Sequence, residues 1–264
     1  MAKGAYYDRN TWPEAGELAQ ENRVVVLPVG AVEQHGRHLP LNTDNVLVWS
    51  VCETALKIAP GEILLLPVVP YGFCETMMDF PGTITIEPSH LTEYVLDIVK
   101  SVGRHGFRKA VIVNGHGSNR AILEVVARRA VIEGDVMCAV LSYWDLIRTE
   151  MAELRESEPG GIAHACELET SMYLHLDQDA VQMDKAVKDI GYPPTEFFSI
   201  DFAKGGAAGF SPYWSTFSKT GALGDPTKAT VDKGEKFLVA AATRLLELIR
   251  EFRRRPINPR VDHH

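Results

Sequence analysis

The sequence predicts an α/β chain, a three-layer α/β/α arrangement around a mostly parallel central sheet. Three observations support it. Short β-branched apolar runs alternate with amphipathic stretches along the chain. Those runs are continuous rather than alternating, as strands covered on both faces require. No Pro/Gly-rich or low-complexity tract divides the chain, so residues 1–264 read as one domain with its core over about 20–250.

Taken in order, the first strand is Arg23-Val24-Val25-Val26-Leu27-Pro28-Val29-Gly30, closed by its glycine. The same character returns at Ile63 to Val69, Ala110 to Val113 and Met137 to Tyr143. Between strands, Leu91, Tyr94, Val95, Ile98, Val99 and Val102 make the i, i+3, i+4, i+7 stripe of a half-buried helix, with Ser89 as its N-cap and Gly106 as its stop. A second helix runs from about Asn119 to Ile132, with Ile122, Val125 and Val126 inward and Gly134 ending it. A third begins at Asp225-Pro226, a cap followed by proline at the first helical position, and its apolar stripe is Leu238, Ala241, Leu245, Leu248, Ile249 and Phe252. Arg250, Arg253, Arg254 and Arg255 fall at its C-terminal end. They read as a solvated helix end favoured by the dipole rather than as a nucleic-acid patch.

Composition narrows the function classes. At 264 residues, 45% apolar and 23% charged, the chain can bury a sizeable core. The balance of 27 Lys and Arg against 35 Asp and Glu, net −8, speaks against nucleic acid and anionic membrane as partners. Cys52, Cys74, Cys138 and Cys166 form no C-x-x-C pair, so neither a disulfide framework nor a zinc ribbon is expected. The polar Met1 to Asn10 lacks a secretory apolar core, and no apolar run approaches the roughly 20 residues of a membrane span. The expected location is cytoplasmic, with reduced thiols. Val261-Asp262-His263-His264 can be read as a tag remnant and is left out of the site.

In parallel sheets ligands gather beyond the carboxyl ends of the strands. After the first strand, Glu33, His35, His38 and Asp44 lie within twelve residues. After the third comes Asn114-Gly115-His116-Gly117-Ser118-Asn119, whose glycines permit a tight turn. Later His164 and Glu169 stand five apart; on a helix they would be about one and a half turns apart. Mixed imidazole and carboxylate ligands suit Zn²⁺ or Mn²⁺, with iron a further candidate. The number of ligands suits two cations sharing a carboxylate. Alternatives stand beside this. Single residues of the first loop could be surface charge, Asp44 could cap the stretch Val46 to Ile58, and the glycine turn could cradle a phosphate. That turn has neither nucleotide-loop spacing. Glu167 has no assignable direction, and His90, His105 and His175 read as structural.

These blocks resemble the creatininase family. Glu33-Gln34-His35-Gly36, His38-Leu39-Pro40 and Asp44 are similar to its E-Q-H-G-x-H-L-P-x-x-x-D block. Phe80-Pro81-Gly82-Thr83 is similar to F-P-G-T, the His116 turn to N-G-H-G-x-N, and His164 to Ser171 to H-A-G-x-x-E-T-S. Thr220 to Gly234 resembles the G-x-x-G-D-P element that opens the last helix. The blocks follow the family order from about residue 20 to 250. The resemblance implies a two-metal hydrolase of small amide bonds and a homo-oligomer, commonly a hexamer. It implies that Glu33, Asp44 and His116 hold one divalent ion, that His35 and Asp44 hold the other, and that Asp44 bridges them.

Departures from the family bear on ligands and substrate. Creatinine-acting members carry a glutamate two positions after the turn histidine, where this chain has Ser118; Glu169, which matches the E-T-S glutamate, is expected to supply the missing carboxylate. A family tyrosine becomes Gly117 and a family tryptophan becomes Gly160, while Trp144 matches a pocket tryptophan. Trp144 and Ser118 are therefore the substrate-binding candidates, and His164 with Glu169 the catalytic ones, His164 as proton shuttle. Gln34 and His38 are expected to support the ligands. The substrate is expected to be a small cyclic amide or formamide. The alternatives are an oxidised cyclitol or other non-amide carbonyl compound on the same site, and a metal-stabilised binding protein without catalysis. Gly205 to Trp214, glycines around aromatic residues, could form a lid, an oligomer contact or a surface loop.

Overall fold

The first apolar run forms strand β1 (Val24–Val29), inside a four-stranded sheet of a computed structural model that describes residues 4–209 and 211–264. Helix α1 (Trp12–Leu18) precedes it. Helix α2 (Thr43–Ile58), strand β2 (Ile63–Leu65), helix α3 (Pro88–Arg104), strand β3 (Lys109–Asn114), helix α4 (Arg120–Gly134) and strand β4 (Met137–Ser142) follow. The order is β2-β1-β3-β4 and every pairing is parallel, with Val25 opposite Ala110 and Lys109 opposite Met137.

Side chains alternate between the two faces of the sheet, and both faces are covered. Val24, Val26, Ile63, Leu65, Val111 and Val113 enter one core, which also takes residues of α2 and α7 (Val231–Arg254). Val25, Leu27, Val29, Leu64, Ala110 and Ile112 enter the other, beneath α3 and α4. This explains the unbroken apolar runs: at about 1.5–3 kcal/mol per fully buried aliphatic side chain, neither face can be polar. Helix α5 (Arg148–Leu154), strand β5 (Ile162–His164), helix α6 (Glu167–Leu176) and strand β6 (Leu223–Gly224) complete the chain, β5 and β6 pairing antiparallel apart from the main sheet.

Several local expectations are corrected. The second strand ends at Leu65, and only an isolated bridge, Val29 to Val69, continues it. Helix α3 starts with Pro88 at its first position, so Glu87 rather than Ser89 is its N-cap, and Tyr94 is exposed. Val125 is also exposed; Val126 turns inward as expected, and Leu123 takes the inward place of Val125. Asp225 does accept a hydrogen bond from Thr227 N, but it caps only a 3-10 turn. Helix α7 begins at Val231, where Thr230 Oγ1 accepts from Lys233 N. Arg250 pairs with Glu62 and Arg255 with Glu251, as a solvated helix end should. No helix among the described residues is long and apolar enough to cross a membrane.

Candidate metal centre

The order β2-β1-β3-β4 leaves a crevice outside the carboxyl ends of β1 and β3, where connections diverge to opposite sides. The loop after β1 is pinned by Glu33 N donating to Leu41 O at 3.1 Å and Gln34 N donating to Thr83 Oγ1 at 3.1 Å. Gly36 takes φ +63°, a conformation that suits glycine. Asp44 lies in the first turn of α2, where the helix dipole favours an anion. After β3, Asn114 brackets the turn, accepting from His116 N at 3.1 Å and donating to His116 O at 2.7 Å. A Cβ on Gly115 would lie 2.9 Å from Asp44 O and 2.8 Å from Val48 Cβ, so this glycine lets α2 approach the His116 turn. Gly117 faces open space and has no such role.

His164 ends β5 and Ala165, at φ +48°, turns the chain into α6, which begins at Glu167. The expectation of one helix holding both His164 and Glu169 is therefore corrected: a strand end and a helical first turn bring them to the same cavity. His116 Nδ1 lies 2.9 Å from Glu33 Oε1 and 3.1 Å from Asp44 Oδ2. His35 Nε2 lies 3.1 Å from Asp44 Oδ1 and 4.0 Å from Glu33 Oε1, and His164 Nδ1 lies 3.6 Å from Glu33 Oε1. Three groups of donor atoms, each within 4.8 Å, result: Glu33, Cys74 and His116; Glu33, His35 and His164; His35, Asp44 and Glu169. All five residues expected as metal ligands converge, and all are buried.

Each imidazole is oriented by a carbonyl, which can only accept, so the ring nitrogen facing it donates. His116 Nε2 donates to Phe73 O at 2.9 Å, His164 Nε2 to Gln34 O at 2.8 Å and His35 Nδ1 to Glu33 O at 3.2 Å. The other nitrogen of each ring is left facing carboxylates, the arrangement metal-binding histidines need. Glu33 Oε2 and Asp44 Oδ2 are buried without a hydrogen bond. Among the described residues Glu33 and Asp44 pair only with histidines, and Glu169 pairs with no lysine or arginine. Three buried carboxylates without a fixed counter-charge are costly unless protons or cations supply it. The donor set therefore fits divalent cations.

The titration behaviour has the same cause. Burial raises the Glu33 carboxyl against the pull of His116, and lifts Glu169 up to about 7 against that of His35. Burial also opposes the imidazolium of His35, yet Asp44, Glu33 and Glu169 raise it to about 10. His116 is likewise held well above its ordinary value despite burial, chiefly by Glu33. Asp44 stays well below the usual carboxylate range although burial works the other way, because His35 and His116 surround it. Burial and the nearby His35 depress His164 well below its ordinary value, and they bring His38 down to about 4. His38 Nε2 is 2.9 Å from Thr170 Oγ1, and Gln34 Nε2 donates to Gly221 O at 2.8 Å.

Above these groups is a cavity of about 510 Å³. Trp144 and Ser118 line it, and Trp144 stacks on Phe202 with centroids 4.6 Å apart and planes at 12°. Trp214 stands edge-on to His164 at 5.1 Å and donates its indole N–H to Gly221 O at 2.8 Å. This places the end of the stretch Gly205 to Trp214 beside the cavity; Phe210 lies outside the described residues. Sequence reasoning missed Cys74, whose Sγ is 3.6 Å from His116 Nε2, and the cavity arginines Arg120 and Arg148. Cys74 follows the second apolar run, so the rule of searching beyond each strand would have found it. His90, His105 and His175 join none of the donor groups among the described residues.

Residues 8–249 match the family model for creatininase, creatinine amidohydrolase. The chain belongs to the creatininase family. This creatininase-family hydrolase is 31% identical over 270 residues to a creatinine amidohydrolase of Pseudomonas putida, covering 95% of this chain and 98% of that one. It is 32% identical over 237 residues to a mycofactocin precursor peptide peptidase of Mycobacterium tuberculosis, covering 86% and 84%. A 3-dehydro-scyllo-inosose hydrolase of Thermotoga maritima is 24% identical over 267 residues, covering 96% and 85%. A creatininase crystal structure superimposes with a TM-score of 0.77 at 30% identity, over 95% of this chain and 99% of that one. Solved creatininases include a manganese form, with TM-score 0.76 and 31% identity over 94% and 98% of the two chains. They also include a Zn–Zn mutant form, with TM-score 0.76 and 30% identity over 95% and 98%.

Proposed function

We propose that this creatininase-family hydrolase cleaves a small amide-type C–N bond at a pair of divalent cations, zinc or manganese. The observation that carries this reading is the convergence of Glu33, Asp44, His116, His35 and Glu169 in one buried cluster where, among the described residues, Glu33 Oε2 and Asp44 Oδ2 have no hydrogen bond. Glu33, Asp44 and His116 would hold one ion; His35, Asp44 and Glu169 the other, with Asp44 shared. Glu169 thereby takes the place of the acidic residue absent at Ser118. Bound cations of this kind make water a nucleophile at neutral pH and polarise a carbonyl oxygen.

The chain's own groups do the rest. Gln34 O holds the Nε2 proton of His164, which leaves Nδ1 as the atom that takes a proton and returns it to the leaving nitrogen. Phe73 O and the main chain of Glu33 fix the other two rings, so their cavity-facing nitrogens carry lone pairs once a cation replaces the proton. Trp144 and Phe202 offer a flat apolar wall, and Ser118 a hydroxyl, to a planar amide. Two relatives named as an amidohydrolase and a peptidase support an amide bond; the third, a hydrolase of an inosose, keeps keto-cyclitols in the substrate screen.

Elemental analysis of protein purified without chelator should find close to two transition-metal ions per chain, and a metal-free, active protein would overturn the reading. Asp44→Ala should lose both ions and turnover while circular dichroism is unchanged; activity surviving in that variant would refute the ligand assignment. Cyclic amides, formamides, ureides and keto-cyclitols, each with Mn²⁺ or Zn²⁺, form the screen for the bond cleaved.

A further inference from the structure

The cavity is acidic at its floor and cationic at its mouth. Arg120 opens α4 directly after the His116 turn, and Arg148 opens α5 just beyond Trp144; both line the cavity with Asp145. Arg120 Nη1 donates to Asp145 Oδ2 at 2.9 Å, and Arg148 Nη2 donates to Asp145 Oδ1 at 2.5 Å. One carboxylate is thus shared by two guanidinium groups. Glu124 Oε1, 3.4 Å from Arg120 Nε, is the other acid in reach.

Arg148 meets no further protein acceptor among the described residues, so most of its N–H donors are unused. A Cβ on Gly205 would come within 3.7 Å of Arg148 Nη1, and the glycine, at φ +67°, leaves that space free. Helix stability does not explain the placement, because a helix N-terminus disfavours a cation. Half-exposed ion pairs contribute only about 0–1 kcal/mol, so Asp145 does more to align the two planar groups than to hold the fold together. A planar guanidinium with free donors is suited to a carboxylate, which it can grip through two parallel hydrogen bonds. In a chain of net charge −8, such a site also offsets repulsion of an acidic substrate.

We propose that Arg148, aligned by Asp145 and assisted by Arg120, binds a carboxylate of the substrate. The molecule cleaved is then an acidic amide, such as the half-amide of a dicarboxylic acid. The amide part of this inference rests on the proposed function above; the anion site rests on the arginine geometry alone.

Succinamate and the neutral diamide succinamide test the two parts separately, with binding followed by calorimetry and hydrolysis by ammonia release, on the protein as purified. Succinamate should bind at least about tenfold more tightly than succinamide. Arg148→Gln should bring that ratio close to one, whereas Arg129→Gln, whose guanidinium pairs with Glu93 and Glu133 outside the cavity, should keep it. Equal affinity for the two compounds, a preference that survives Arg148→Gln, or no binding of either at millimolar concentration would overturn the inference. Ammonia release from both without preference removes the anion site and leaves the amide reading standing. A binding preference without ammonia release from either supports the anion site and counts against the amide reading.

Discussion

Glu167 and Glu169 stand two residues apart in the first turn of α6, and both are buried, yet they are treated in opposite ways. Glu167 accepts from Lys233 Nζ at 2.6 Å, Glu156 N at 2.9 Å and Ser157 N at 2.9 Å. Although burial would raise its carboxyl, Lys233 and those donors hold it below the usual range. Glu169 faces the opposite environment: the Cys166 thiol at 3.7 Å, His35, and two more carboxylates, with burial pushing it up to about 7. A buried carboxylate is thus not a functional signal in itself. What separates structure from chemistry is whether the chain supplies the counter-charge.

The sharpest way to break this contrast is Glu169→Gln, which keeps volume and removes charge. The expected loss in kcat/KM is on the order of 10³-fold, equivalent to about 4 kcal/mol of transition-state stabilisation, with one metal ion missing by elemental analysis. A variant with full metal content and normal turnover would put Glu169 in the same class as Glu167. On the structural side, Lys233→Met strands the Glu167 charge and should lower stability by about 3 kcal/mol in urea unfolding while metal content is kept. Glu167→Leu combined with Lys233→Met should recover most of that loss, because the pair is then replaced by apolar packing.

The smallest effect is the difference in sign with pH. Glu167 has a folded value below its unfolded one, so its stabilisation is present above about pH 4.5 and disappears as pH falls through the folded value. Glu169 keeps its proton in the folded protein up to about 7, whereas the unfolded chain releases it near 4.5, so stability declines as pH rises between them. In chelator-treated protein Glu169→Gln should therefore be more stable than the parent at pH 8 and show no gain at pH 4. A gain of equal size at both pH values would show that packing, not charge, separates the two residues.

Much of this was readable before the fold was known. Unbroken apolar runs announced strands covered on both faces, and the loops after the first and third runs held Glu33, His35, Asp44 and His116. The misreadings have a common origin. Val125 and Tyr94 fit a helical stripe but sit at its margin, where one residue of drift exposes a side chain. Asp225-Pro226 carries a sound start signal that a 3-10 turn uses first. His164 lies on a strand because Ile162 and His164 pair antiparallel with β6, a partner about 60 positions away that local patterning does not register.

From the sequence alone followed the layered α/β architecture, since periodicity and burial are properties of local stretches, and so did Glu33, His35, Asp44, His116 and Glu169 as candidate ligands, though not Cys74. Tertiary structure decided everything that depends on distance between stretches. It directs the lone pairs of three imidazoles by giving their N–H groups to distant or neighbouring carbonyls. It hands Lys233 to Glu167 and, among the described residues, withholds a lysine or arginine from Glu169, and it places Arg120 and Arg148 on one aspartate at the cavity mouth. Charge and hydrogen bonding act across space, and only the folded chain sets which groups come close enough to feel them.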